Sequence, residues 1–418
     1  MEKIVGPNGL RILLYPIEGA HSASVGVWVY AGSRYENTDK QGISHFVEHM
    51  LFKGTETRTA RQISEEMDNL GGGMNAYTTK EYTRFYAQTL PENAVGALEL
   101  IGDMLLHSRM DAHETELERR VILDEMAMYE DEGEDLAHEL LCAGVWPDSP
   151  LGRPIIGTKE TVAAIRPDDL LAYVRENYTP ERLVVVVAGC FDRAAVLDAA
   201  QRLWDRCPRG TGIPAADTPA FTPGVFLRRK KFEQLSLEWA VPGLALGDEG
   251  RYALMLFNFL LGGGASSRLF QRVREQLGLV YSIYSTHYAS RGAGLMTVGA
   301  SMTPANQQPV LDEVRRCLEE LAAGAGEEEF RRAKVQVKAS FILGLETVAA
   351  QASYIGRSEL MENRVPSVDE EIARIDAVTP DEVNALAERL LTGGVQALSG
   401  AGPVAAKKVY IPYISARI

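Results

Sequence analysis

Apolar residues recur along this chain at two spacings, and each change of spacing marks a predicted element. Leu10 to Tyr15 and Ala23 to Tyr30 read as strands, the second with Val25, Val27 and Val29 on alternate positions. An apolar, helix-like run from Ile43 to Phe52 follows, between Gly42 and Gly54. Thr59 is placed to cap a helix that stops at Gly71-Gly72-Gly73. Asn75 to Thr78 and Thr83 to Leu90 form the arms of a hairpin, and Pro91 to His107 and Ala112 to Tyr129 carry helical periodicity. The acidic run Glu130 to Asp135 reads as a solvated face leading into a helix near Leu136 to Ala143. Pro167 opens a further helix. Arg182 to Ala188, with Val184 to Val187 in succession, reads as a strand buried on both faces.

Prolines at 208, 214, 219 and 223 then mark an interdomain linker, and beyond it the order of elements repeats. Ser236 to Val241 is a strand, and Glu249 to Leu261 is a helix in the place of Ile43 to Phe52. A helix from Ser266 to Gln276 closes at Gly278. Strands at Val280 to Tyr288 and Gly294 to Ala300 precede helices near Gln307 to Leu321, Glu327 to Leu345 and Thr347 to Met361. Val162 to Leu170 also resembles Ile372 to Val383 in sequence, which points to a duplicated domain. Strand hairpins with helices grouped between them predict an α+β fold: two homologous domains, each a mainly antiparallel sheet with helices packed on one face. The expected boundaries are 1–207, a linker at 208–223, and 224–418.

Composition narrows the function. The net charge of -14 argues against a nucleic-acid partner, which would meet a basic face. No apolar run approaches the roughly 20 residues needed to span a bilayer, and the first residues carry no apolar signal core. Cys142, Cys190, Cys207 and Cys317 form no C-x-x-C pair and read as free thiols in a reducing compartment, so a cytoplasmic location is expected.

Candidate chemistry lies in His45-Phe46-Val47-Glu48-His49. On a helix His45 and His49 stand one turn apart and face the same way. Two imidazoles so placed suit zinc, and a neighbouring Glu can act as general base on water. The order H-x-x-E-H reverses the commoner H-E-x-x-H and is the inverzincin signature. Two histidines and a glutamate on an ordinary core helix are the plain alternative, and zinc needs a third protein ligand. The second half has Leu260-Leu261-Gly262-Gly263-Gly264 at the corresponding place, so only the first copy is expected to bind metal.

Further along, Glu125 lies in Val121-Ile122-Leu123-Asp124-Glu125-Met126, with Glu118 two turns earlier on the same helix face. With these residues the chain resembles the pitrilysin family of zinc peptidases, which includes insulin-degrading enzyme and the mitochondrial processing peptidase. The resemblance implies that Glu125 is the third ligand and Glu118 a supporting active-site residue. It implies that Asn75, Ala76 and Tyr77, within Gly72 to Thr83, form an edge strand that pairs with an extended peptide, a case of β-augmentation. Arg274 and Tyr281, within Ser267 to Ser282, match the family's Arg and Tyr segment, which reaches the scissile peptide. The two-domain size is similar to the bacterial, processing-peptidase-like branch. Met126-Ala127-Met128 stands where the processing peptidase often has acidic residues, a departure that bears on presequence processing rather than on hydrolysis.

The expectation is a zinc-dependent endopeptidase acting on extended peptides or unfolded segments. One Zn2+ per chain is held by His45, His49 and Glu125, Glu48 is the base, Tyr281 the oxyanion donor, and Arg274 a clamp on substrate carbonyls. The family also contains non-catalytic assembly subunits, which have lost metal ligands that this chain keeps, and a second alternative is half of a heterodimer, active only with a different chain. One chain carries both the metal motif and the Arg/Tyr segment, which implies a homodimer whose site is completed in trans.

Overall fold

The valine alternation of Ala23–Val29 becomes an inner strand of the first of two sheets. The structure is a computed structural model that describes residues 1–415, without the side chain of residue 392. The strands of the first sheet are β1 (Glu2–Val5), β2 (Arg11–Pro16), β3 (Ala23–Val29), β4 (Gly73–Thr78), β5 (Thr83–Thr89) and β6 (Leu183–Gly189), in the order β1-β2-β6-β3-β5-β4. Only β2 and β6 run parallel. Every residue of β6 is buried, as its unbroken apolar run requires. The second sheet comprises β7 (Gly224–Arg229), β8 (Leu235–Pro242), β9 (Ser282–Ser290), β10 (Ala293–Met302) and β11 (Ala397–Gly402), in the order β7-β11-β8-β10-β9. Here β7 and β11 are the parallel pair. Place for place this repeats β2-β6-β3-β5-β4, so the duplication read from element order is carried by the winding of both sheets.

In the first sheet Val25, Val27 and Val29 face helices α1 (Ile43–Met50) and α3 (Ala94–His107) and share a core with Phe46, Val47, Leu98 and Ile101. The chain divides into two compact units that are not contiguous stretches. The first is Met1–Met126, Arg153–Ala215 and Leu343–Pro366; the second is Ala127–Gly152, Ala216–Ile342 and the chain from Ser367. The passage between Ala215 and Ala216 falls inside the proline-marked segment 208–223. Two helices therefore sit with the sheet of the other half of the sequence. The helix Val348–Glu362, capped by Thr347, lies on β3 and β6. Helix α5 (Gly133–Val145), which follows α2 (Ala60–Asn69) and α4 (Ala112–Asp131) in the chain, lies on β7, β8 and β11. Each docks through a glycine against an aromatic ring. A Cβ at Gly356 would come within 2.4 Å of the Trp28 ring, and one at Gly144 within 2.4 Å of the Phe226 ring.

Three local features differ from the sequence expectation. The acidic run is exposed as expected but is mostly helical: α4 extends to Asp131, α5 already starts at Gly133, and Glu134 accepts hydrogen bonds from Ser282 and Ser301 (3.0 and 2.6 Å). The helix expected from Ser266 is π-wound over Phe270–Gln276, where Leu277 N–H reaches five residues back to the Arg272 carbonyl. Gly278, with φ +59°, then lets Leu279 N–H reach the Val273 carbonyl and end the turn. Strands β1, β7 and β11 carry no alternation that marks them; β11, Ala397 to Gly402, is built of small residues apart from Leu398. Among the described residues no helix is long and apolar enough to cross a membrane.

Candidate metal centre

The apolar stripe of α1 fixes which residues it turns outward. Ile43, Phe46, Val47 and Met50 are buried in the first core, leaving His45, Glu48 and His49 half-buried on the opposite side. The start of α1 has no capping side chain of its own, because Gly42 occupies the left-handed region at φ +89°, where a Cβ would meet the Ile156 carbonyl oxygen at 2.5 Å. Glu36 takes that role from a distance: its two carboxylate oxygens accept from Gly42 N–H and Ser44 N–H, each at 2.8 Å. Burial pushes the Glu36 carboxyl up to about 7, against the pull of these donors.

Helix α4 presents a buried stripe of Thr115, Glu118, Arg119, Ile122 and Met126. Arg119 anchors it, donating to the carbonyls of Val162 and Ile165 and lying over the Phe46 ring at 5.4 Å. This brings Glu125 to the two histidines. His45 Nε2 and His49 Nε2 are 3.2 Å apart, and Glu125 Oε2 lies 3.7 and 3.6 Å from them. Ligand atoms around a tetrahedral zinc at about 2.0–2.1 Å stand roughly 3.3–3.4 Å apart, so this triangle fits the ion. Glu125 Oε2 is buried with no hydrogen-bond partner, as an atom meant for a cation would be. Among the described residues this is the one group of three or more candidate ligands that converges.

The surroundings orient the ligands. Glu118 Oε1 lies 3.0 Å from His49 Nδ1, which turns Nε2 toward the centre, and Glu118 Oε2 pairs with Lys53 at 2.6 Å. Burial would raise the Glu118 carboxyl, but His49 and Lys53 outweigh it and hold it low. Burial and the neighbouring His49 push His45 down to about 3, so its ring is neutral with a lone pair to offer. His49 moves the other way: burial is outweighed by Glu118, Glu125 and Glu48, which together mark a place that favours positive charge. Glu48 is raised by burial and opposed by Thr78, whose Oγ1 donates to Glu48 Oε2 at 2.5 Å.

Thr78 ends β4, the outer strand of its sheet, so the hydroxyl that holds Glu48 and the strand expected to receive substrate are one element. Within β4, Asn75, Ala76 and Tyr77 pair with Tyr86, Phe85 and Arg84, and Ala76 N–H donates to Asn75 Oδ1 at 2.8 Å. Arg274 and Tyr281 belong to the second unit. Arg274 lies in the π-wound turn with its guanidinium over the Phe270 ring at 4.8 Å, and Tyr281 is 75% exposed. The structure thus gathers His45, His49, Glu125, Glu118 and Glu48 within the first unit. It adds Thr78, Lys53 and Glu36, whose roles sequence spacing did not reveal. Thr78 lay inside the predicted hairpin, but only the end point of β4 beside α1 gives it a partner.

The chain is similar to known proteins along nearly its whole length. The family model described as insulinase (peptidase family M16) matches residues 11–159, and the one described as peptidase M16 inactive domain matches residues 164–337. The uncharacterized zinc protease YmxG of Bacillus subtilis is 40% identical over 92% of this chain and 94% of its own length. An uncharacterized zinc protease of Streptomyces coelicolor is 39% identical over 96% of this chain and 89% of its own. Among solved structures, a protease from Helicobacter pylori superposes with a TM-score of 0.89 at 21% identity, covering 96% of this chain and 99% of that one. A peptidase M16 inactive domain from Pseudomonas fluorescens gives 0.89 at 19% identity, covering 97% and 99%. These two share the fold. With the identity to the zinc proteases extending along nearly the whole chain, this protein belongs to peptidase family M16.

Proposed function

We propose that this protein is a zinc-dependent endopeptidase that hydrolyses extended peptides or unfolded segments. The observation that carries the reading is the converging triangle of His45 Nε2, His49 Nε2 and Glu125 Oε2, with Glu48 one residue before His49 on the same helix. These three side chains would hold one zinc ion per chain. Bound there, zinc supplies Lewis-acid polarisation of a carbonyl group and of water. Glu48 takes the proton of the attacking water and passes it to the leaving amine. Its Oε2, held by Thr78, keeps the carboxylate fixed against β4. Glu118 orients His49. The peptide adds to β4 at Asn75-Ala76-Tyr77 through main-chain bonds, which favours extended substrates over folded ones.

Arg274 clamps substrate carbonyls, and Tyr281 donates to the developing oxyanion, a contribution of about 3 kcal/mol for one such donor. We assign them to the partner protomer of a homodimer located in the cytoplasm. A non-catalytic assembly subunit would have no use for a complete ligand set and a tethered base. The decisive variant is Glu48→Gln. It should keep its zinc, measured by elemental analysis, and lose about a hundredfold to ten-thousandfold in peptide hydrolysis. Near wild-type cleavage by a zinc-loaded Glu48→Gln protein would overturn the assignment.

A further inference from the structure

Helix α5 covers the second sheet with a mostly apolar face. Leu141, Cys142 and Val145 pack with Ala240, Ala397 and Leu295, and Leu136 and Ala137 with Ala401. Between these patches β8 turns the carboxylate of Glu238 toward the helix, with that side chain only 9% exposed. His138 meets it, its Nδ1 lying 3.0 and 3.2 Å from the two carboxylate oxygens. The other ring nitrogen, Nε2, is 3.5 Å from Cys142 Sγ one helical turn on. The Tyr288 ring lies against the imidazole with centroids 4.6 Å apart. Cys142 is a free thiol, 7% exposed. A cavity of about 130 Å³ opens at His138 and Glu238, lined also by Glu134, Asp135, Tyr284 and Tyr288; Cys142 is not part of its lining and meets the site through His138 Nε2.

Tying α5 to the sheet would need only the pair of Glu238 and His138. It would not need a thiol at the second ring nitrogen. Thiol, imidazole and carboxylate, each within reach of the next, form the arrangement in which a nucleophile is activated by a base that a third group orients. Burial would push the His138 imidazole down, but Cys142 and Glu238 outweigh burial and push it up to about 10. The imidazolium donates Nδ1–H to Glu238 and directs Nε2–H at the sulfur.

We propose that Cys142, His138 and Glu238 form a second reactive site in this protein, one that takes a small peroxide as its substrate. The Cys142 thiolate attacks one peroxide oxygen. The S–O bond forms and the O–O bond breaks; the sulfur loses two electrons and the peroxide gains them. The departing oxygen takes the Nε2 proton of His138 and leaves as water, or as an alcohol from an organic peroxide. Cys142 is left as the sulfenic acid, and His138 regains its proton from solvent. Glu238 is the positioning residue that keeps Nε2 on the sulfur.

The test uses the full-length, zinc-loaded protein. Hydrogen peroxide is added at neutral pH with dimedone present, and labelling of Cys142, Cys190, Cys207 and Cys317 is followed by peptide mass spectrometry. Cys190 is exposed and serves as the accessible thiol without such a partner chain. Cys142 should label at least about tenfold faster than Cys190 despite its burial. His138→Gln should slow Cys142 by about tenfold or more and leave Cys190 unchanged. Labelling of Cys142 no faster than Cys190 in the unmodified protein overturns the proposal, and this arm requires no variant to fold. A His138→Gln protein with wild-type circular dichroism and wild-type Cys142 labelling overturns it equally.

Discussion

Single atoms decide the chemistry of the metal group. Glu125 and Glu118 stand on one face of α4, yet only Glu125 sends an unpartnered oxygen into the triangle, while both oxygens of Glu118 are engaged by His49 and Lys53. Glu125→Gln should therefore lower zinc occupancy sharply. Glu118→Gln should retain zinc and lose about 10–100-fold in turnover. Elemental analysis of the two purified variants separates the roles, and the opposite pattern would reverse the assignment. Thr78→Val removes the hydroxyl that holds Glu48. It should lower kcat about tenfold with little change in KM, since a hydrogen bond to a charged group contributes roughly 1.5–3 kcal/mol. His45, Glu48 and His49 were legible because their spacing along one helix is itself the chemistry. Glu125 was legible through the resemblance that its surroundings carry. Thr78 and Lys53 were not, because each acts through a contact that exists only once α1, α4 and β4 have been brought together; Glu36 was not, because it caps α1 from six residues before Gly42, outside the usual capping position.

At the scale of elements, the segment after α1 is tied to α3 by Asp103. Its carboxylate accepts from Thr55 Oγ1 at 2.7 Å and Arg58 Nη1 at 2.8 Å, and His107 Nδ1 lies 3.0 Å away. Burial would raise this carboxyl, but Thr55, Arg58 and His107 outweigh it and hold it below the ordinary range. As pH falls the unfolded chain binds this proton first, near the usual value of about 4. The stabilisation is complete above that pH and is lost as pH falls through the lower folded value. Asp103→Asn should be less stable than wild type at neutral pH, with the difference closing in acid. Urea unfolding of chelator-treated protein over a pH series measures this. On β4, Ala76→Pro removes a backbone donor and should raise KM for unrelated peptides alike. Loss for one peptide alone would point to side-chain pockets instead of strand addition. β3 and the helix of the metal motif, by their periodicity, and β6, by its unbroken apolar run, were readable from the chain. β11 was not, since Ala397 to Gly402 has no β-branched residue and only Leu398 as a large apolar one, and it holds its inner place in the sheet through its two neighbours.

For the whole molecule, the proposed assembly predicts a defined outcome on mixing. His45→Ala lacks a ligand and Tyr281→Phe lacks the oxyanion donor, so each homodimer should be nearly inactive. If the site is built in trans, a mixed dimer places both lesions in one site and neither in the other. Random exchange makes half of the dimers mixed, so an equimolar mixture should recover about a quarter of wild-type activity. No recovery, with exchange demonstrated separately, would mean that each chain builds its site alone. The repeat of the two sheets was visible in the order of elements, but the exchange of α5 and Val348–Glu362 between the units was not. Both helices read as ordinary amphipathic segments, and the glycine contacts that seat them, Gly356 on Trp28 and Gly144 on Phe226, join residues far apart in sequence.

During synthesis the chain emerges N-terminus first, and every strand of the first sheet has left the ribosome once Gly189 is out. The helix that covers the Trp28 side of that sheet is not made until Glu362. For the interval between, a nascent chain carries a finished sheet with one bare face, a surface for chaperones to hold and a delay built into maturation. No single cut of the polypeptide yields either unit whole. Expressed alone, 1–215 and 216–418 should each be insoluble or loosely folded, and together they should recover the native protein.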